Sequence, residues 1–173
     1  MHYTLTLTQR QTVTERTDHY IHLANELLDL KLPSIEVMFD LKGKSSGMFV
    51  VRSSRAYIRY NEIIFSQYFD DAVVNTVAHE VAHYVVYSVH GLRNTKPHGN
   101  EWKQVMGLFN LSPEVTSCYD VSQLPLKQQR RHSYTCACMT HELSTTRHYK
   151  ILRGKMTYHC RKCQQPLKHR GES

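Results

Sequence analysis

The stretch NTVAHEVAHYVVYSVHG, Asn75 to Gly91, sets three histidines and a glutamate into an otherwise apolar segment with helical character. Val77, Ala78, Val81, Ala82, Val85 and Val86 would bury much of such a helix, and ionisable groups are costly to bury unless paired or metal-bound. His79 and His83 stand about one turn apart, so their rings leave the same face. Glu80 follows the first of them. The pattern is H-E-x-x-H, in which two imidazoles hold zinc and the glutamate acts on water. The bland alternative is a pair of satisfied core histidines. The greasy helix, its lack of proline and the later Pro97-His98-Gly99 weigh against it.

A catalytic zinc takes three protein ligands and keeps one position open. His90 is on the same helix but seven residues past His83, about 10 Å along the axis, too far to share the ion. It reads instead as a helix-end residue, where partial positive charge is favourable. The third ligand therefore returns after a loop. His98, in a turn opening onto the next helix, and Glu101, within that helix, both qualify.

Working outward, the 173 residues suffice for one domain plus a small appendix, and 40% hydrophobic residues exclude wholesale disorder. No apolar run approaches the roughly 18 residues of a membrane span, and the N-terminal stretch has no signal-like apolar region. A cytoplasmic chain with no membrane association is expected, most simply a monomer, and there cysteine clusters more often bind metal than form disulfides. Charge divides the chain. Residues 1–126 carry 11 Lys and Arg against 13 Asp and Glu, whereas residues 127–170 carry 11 against Glu142 alone, a balance of +10. A basic segment of that kind suits a polyanion such as DNA, or is merely a solvated surface.

Hydrophobic spacing predicts a helix from Thr8 to about Leu30, ended by Pro33, and a short strand over Ile35 to Asp40. Two more strands follow over Met48 to Arg52 and Arg55 to Tyr60, joined through Ser53-Ser54, giving a small antiparallel sheet. Helices are predicted from about Asp70 to His90, stopped by Gly91, and around Asn100 to Phe109. Pro125 to Arg131 reads as a linker, so the expected division is 1–126 and 127–173. The fold class is α+β: a zincin-like core with the H-E-x-x-H on a helix, then a small zinc ribbon.

The ribbon rests on four of the five cysteines. Cys160 and Cys163 form a C-x-x-C knuckle, and Cys136 and Cys138 form a tighter C-x-C. His141, in Cys138-Met139-Thr140-His141, can replace one of the thiolates. A segment of this size buries too little core to fold unaided, so a closed structural zinc would supply much of its stability. Cys118 stands alone as an ordinary thiol. Between the knuckles, Arg147, Lys150, Arg153 and Lys155 surround Tyr149, a mixture suited to phosphate contacts and base stacking, or to an exposed hairpin with no ligand.

These motifs resemble the SprT family of zinc metalloproteases, related to eukaryotic Spartan, which degrades proteins crosslinked to DNA. The resemblance is carried by Tyr57-Ile58-Arg59-Tyr60-Asn61, His79-Glu80-Val81-Ala82-His83, Pro97-His98-Gly99-Asn100-Glu101-Trp102 and the two C-terminal cysteine elements. It implies zinc ligation by His79, His83 and His98, catalysis by Glu80, a catalytic and a structural zinc, and DNA-bound protein substrates. One departure is Tyr60, where the family pattern leads one to expect leucine, a difference assigned to packing. A competing function class is a nucleic-acid-binding or transcription-linked regulator in which proteolysis is secondary, and a third is a metal-dependent amidase acting on small molecules.

Overall fold

The computed structural model describes residues 3–53, 55–115, 119–126 and 130–170, so Cys118 and the middle of the expected linker lie outside the described residues. The chain forms two compact units, Met1–Lys127 and Gln128–Ser173.

The first unit begins with α1, Leu7–Leu28. Thr6 and Gln9 form a reciprocal capping box at its start, satisfying N–H groups that the first turn leaves without partners. The helix stops before Pro33, at Asp29, whose φ of 49° is left-handed. Strands β1 (Glu36–Met38), β2 (Gly47–Arg52) and β3 (Arg55–Tyr60) make a sheet of order β1-β3-β2. The sheet is mixed, which corrects the expected antiparallel arrangement. β2 and β3 form an antiparallel hairpin, but β1 pairs parallel to β3, with Val37 opposite Ile58. The link from β1 to β2 crosses over the central strand, so the chain reaches both of its edges, and periodicity carries no information about that choice.

Helix α2 (Glu62–Gln67) is additional to the expected elements; Asn61 caps it by accepting from the Ile63 N–H. The long helix expected from Asp70 is instead α3 (Phe69–Asp71), a π-helical turn over Ala72–Thr76, and α4 (Val77–His90). Single π turns inside helices recur at functional sites. α5 spans Asn100–Leu108.

The core joins one face of α1 to β3, α4 and α5 through Val13, Ile21, Ala24, Ile58, Val77, Val81, Val85 and Val105. Tyr60 is wholly buried and its hydroxyl lies 3.1 Å from Thr17 Oγ1. The Thr17 proton goes to the Val13 carbonyl at 2.8 Å, so the tyrosine donates to the threonine. The departure from leucine is thus matched by a polar partner on α1.

In the second unit β4 (Arg131–Thr135) is central, flanked by β5 (Thr140–Ser144) and β6 (Lys168–His169), both antiparallel to it. A further helix, α6 (Thr145–Leu152), lies where no helical periodicity was evident. It buries only His148, which is why an apolar pattern gave no sign of it. The buried core is Tyr134, Leu143, Cys160 and Leu167. Among the described residues no helix is long and apolar enough to cross a membrane.

The Thr17 to Tyr60 pair gives a direct stability test. Thr17→Val strands a buried hydroxyl and should cost about 1–3 kcal/mol in denaturant unfolding. Adding Tyr60→Phe should cost less than the sum of the two single changes, because it removes the stranded group.

Candidate metal centres

α4 carries His79 and His83 outward from its buried valine face, and His98 comes back to them from the loop before α5. The three Nε2 atoms lie 3.2 Å (His79 to His83), 3.1 Å (His83 to His98) and 2.9 Å (His79 to His98) apart. Hydrogen bonding cannot satisfy this triangle. Each neutral imidazole offers one N–H, and three mutual contacts would need every Nε2 to be both donor and acceptor. A tetrahedral ion at about 2.0–2.1 Å from each nitrogen sets them about 3.3–3.4 Å apart, close to what is found. The donor set therefore fits zinc.

Several neighbours hold the rings. Trp102 is 1% exposed, packs its indole within 4.7–5.7 Å of all three imidazole centroids, and donates from Nε1 to the His79 carbonyl at 3.3 Å. Sequence reading gave Trp102 no role; its position four residues after His98 at the start of a helix was the available signal. His98 has φ of 58°, the left-handed region that histidine enters more readily than most residues, and this turns its ring toward α4. Glu101, the competing ligand, is absent from the histidine group and lines a separate apolar hollow with Leu28, Val89 and Val105. His90 closes α4 ahead of Gly91, whose φ of 75° ends the helix.

Burial, with the neighbouring His98, lowers His79 to about 4, against a hydrogen bond to the Glu114 backbone that raises it. Burial and the other two rings bring His83 to about 3, and burial lowers His98. All three are thus kept neutral, the form that donates a lone pair to a metal.

Glu80 is buried beside them and lines the same cleft, of about 1120 Å³. Its Oε2 accepts from the Phe49 N–H of β2 at 2.7 Å. Desolvation raises Glu80 to about 7, and that hydrogen bond partly offsets the rise. The carboxylate leans on Gly47: a Cβ there would fall 2.7 Å from Glu80 Cγ and 2.9 Å from Thr76 Cγ2. Glycine at 47 is what lets β2 approach the acid this closely.

In the second unit the sulfurs of Cys136, Cys138, Cys160 and Cys163 lie within 4.8 Å of one another. Cys136 and Cys138 are 3.5 Å apart and Cys138 and Cys160 3.7 Å, far beyond a disulfide bond of about 2.05 Å and near the roughly 3.8 Å set by zinc–thiolate tetrahedra. The Lys162 N–H points at Cys160 Sγ at 3.4 Å, as in a metal knuckle. His141 Nε2 sits 3.3 Å from Cys136 Sγ, outside the four-cysteine group but touching it. Against its own desolvation, Cys136 is drawn down to about 5 by the Cys138 backbone and His141. Cys138 is pushed up to about 12 by the thiols of Cys163 and Cys136.

The basic residues singled out between the knuckles sit on and just after α6, and all four are exposed. The Arg147 guanidinium lies over the Tyr158 ring and that of Arg153 over Tyr149, while Lys150 is in the last turn.

A mixed α+β chain with histidine and cysteine groups that can hold metal ions is the class that fold and site define. Residues 16–130 match the SprT-like family, and the chain belongs to that family. It is 36% identical over 152 residues to Protein SprT of Vibrio parahaemolyticus, covering 87% of this chain and 88% of that protein. It is 33% identical over 164 residues to Protein SprT of Vibrio atlanticus (94% and 95% covered) and 34% over 156 residues to that of Pasteurella multocida (90% and 90%). No solved structure gives a significant match.

The neutral histidines make the metal-free protein acid-sensitive. Rings held near 4 and 3 when folded, against 6.5 ordinarily, leave the unfolded chain binding more protons below about pH 6.5. Stability of the chelator-treated protein should fall as pH drops from 7 toward 5, by up to about 1.4 kcal/mol per pH unit for each ring. Denaturant melts at pH 7.5 and 5.5 read this, and His79→Gln with His83→Gln should flatten the slope.

Proposed function

We propose that the chain is a zinc-dependent endopeptidase of zincin-like architecture, followed by a zinc ribbon that contacts DNA and directs it to DNA-bound proteins in the cytoplasm. The convergence of three neutral imidazole nitrogens beside a buried glutamate, all on one cleft, carries this reading. His79, His83 and His98 would hold a zinc ion, which would supply Lewis acidity to the cleft. Glu80 takes a proton from the attacking water and delivers it to the leaving amine nitrogen. The Phe49 N–H holds the carboxylate in one orientation between those two transfers. β2 is an edge strand whose Gly47, Met48 and Phe49 line the cleft, a setting in which an extended peptide can add alongside. That favours a polypeptide substrate over a small amide.

For the second unit, four thiols at zinc spacing support a structural ion, and exposed Arg147, Lys150, Arg153 and Lys155 beside Tyr149 support nucleic-acid contact. A regulator that binds nucleic acid without hydrolysis would share the basic unit. It would leave Glu80, a carboxylate kept 6% exposed, with no task to offset its burial.

Three outcomes test the reading. Glu80→Gln should abolish casein or histone digestion while zinc content is unchanged; persistent hydrolysis would remove Glu80 from the chemistry. His98→Ala should lose activity and one tightly held zinc, Cys163→Ser should lose a different one, and Glu101→Ala should lose neither. In anisotropy titrations with labelled duplex DNA, Arg147→Ala or Lys150→Ala should weaken binding and reduce the log-affinity against log-salt slope by up to about one unit. If residues 1–126 alone bind DNA with the full-length affinity and slope, the basic unit is not the DNA module.

A further inference from the structure

We infer that the second unit has an additional transition-metal site, built from His132, His148 and His169 and distinct from the cysteine group. Each offers one ring nitrogen within 4.8 Å of the other two. Strand alternation puts His132 and Tyr134 on one face of β4, and His169 of β6 stands opposite Tyr134 in the ladder. α6 closes that face with His148, whose ring stacks on His132 at 3.7 Å and lies 5.0 Å from His169. The topology thus brings three imidazoles from two strands and a helix to one spot. His132 stands four residues before Cys136, which follows β4, about 13 Å for extended chain.

Hydrogen bonds on His132 and His148 set the tautomer, one nitrogen tied to a neighbour so that the other carries the lone pair. The Thr145 hydroxyl donates its only proton to the Arg130 carbonyl at 3.2 Å, so it accepts from His132 Nε2 at 3.3 Å. The lone pair of His132 is therefore on Nδ1. His148 Nδ1 pairs with the Tyr134 hydroxyl at 3.0 Å; when it donates there, its lone pair is on Nε2. His132 and His169 are half-buried. An ion at about 2.0–2.1 Å from each nitrogen would draw the ligands together and break the face-to-face stack.

The donor set selects the ion. Three neutral nitrogens with no carboxylate or thiolate suit Zn²⁺, Cu²⁺ or Ni²⁺ and not Ca²⁺ or Mg²⁺. The surrounding charge of +10 over residues 127–170 opposes any cation. The site should therefore fill after the cysteine group, whose thiolates offset the ion's charge, and should exchange readily. Once filled, it would add positive charge to an already basic unit.

The test uses the full-length protein equilibrated by dialysis against rising zinc chloride, with bound zinc measured and imidazole ¹⁵N shifts followed by NMR. Wild type should take up one equivalent more than H132Q/H169Q at high zinc, while tightly held zinc is the same in both. In wild type the last equivalent should shift His132 Nδ1 and a nitrogen of His169 together. The inference is overturned if the double variant keeps that last equivalent, as it would for an ion held elsewhere on the surface. It is equally overturned if wild-type uptake ends with those two rings unshifted, a readout that needs no variant to fold and no hydrolytic activity.

Discussion

Three imidazole nitrogens lie within 3.2 Å of one another, and the first unit is arranged to bring them together and keep them neutral by burial. Two protonated rings in the group would repel each other, with no carboxylate in the triangle to compensate. Burial supplies the neutrality: α4 sinks its valine face into the core, which withdraws His79 and His83 from water while leaving their nitrogens on the cleft. Trp102 backs the rings with an apolar plane. The left-handed turn at His98 spends backbone strain to bring in the third nitrogen.

Glu80 ties this arrangement to the sheet. One residue after His79, it leaves α4 in a different direction, and β2 meets it with a backbone N–H. A side chain at position 47 would push the strand away, so a glycine in the sheet governs where an acid on the helix can sit. The π turn just before α4 brings Thr76 to Ser46 at 3.2 Å and to the Tyr119 hydroxyl at 3.2 Å, adding a polar seam between helix, strand and the later loop. For the proposed peptidase this means that the orientation of the base depends on backbone packing as much as on the H-E-x-x-H motif.

The second unit solves a different problem. Among the described residues, four buried apolar side chains make a core too small to carry about 40 residues by apolar burial alone. Cysteine and histidine side chains fill positions that larger domains give to leucine and valine: Cys160 is 1% exposed, and His148 is the one residue that α6 buries. Metal binding and folding are then hard to separate, since the groups that would hold the ions are also the groups that pack.

Much of the first site was legible in the sequence because its signals are local. A four-residue spacing puts His79 and His83 on one helix face whatever the rest of the chain does, and Pro97-His98-Gly99 marks a turn able to aim a ring. The cysteine spacings are local in the same sense. What the sequence left open depended on contacts between distant segments. That His98 and not Glu101 joins His79 and His83 depends on how the loop before α5 folds back on α4. The parallel pairing of β1 with β3 rests on a crossover that no periodicity encodes. The partner of the Tyr60 hydroxyl is Thr17, 43 residues away on α1, a pairing that no local pattern encodes. Trp102 behind the three imidazoles, Gly47 beneath Glu80, and the meeting of His132, His148 and His169 arise the same way: each residue is ordinary in its own stretch, and only the packing of strands and helices from separate parts of the chain makes them neighbours.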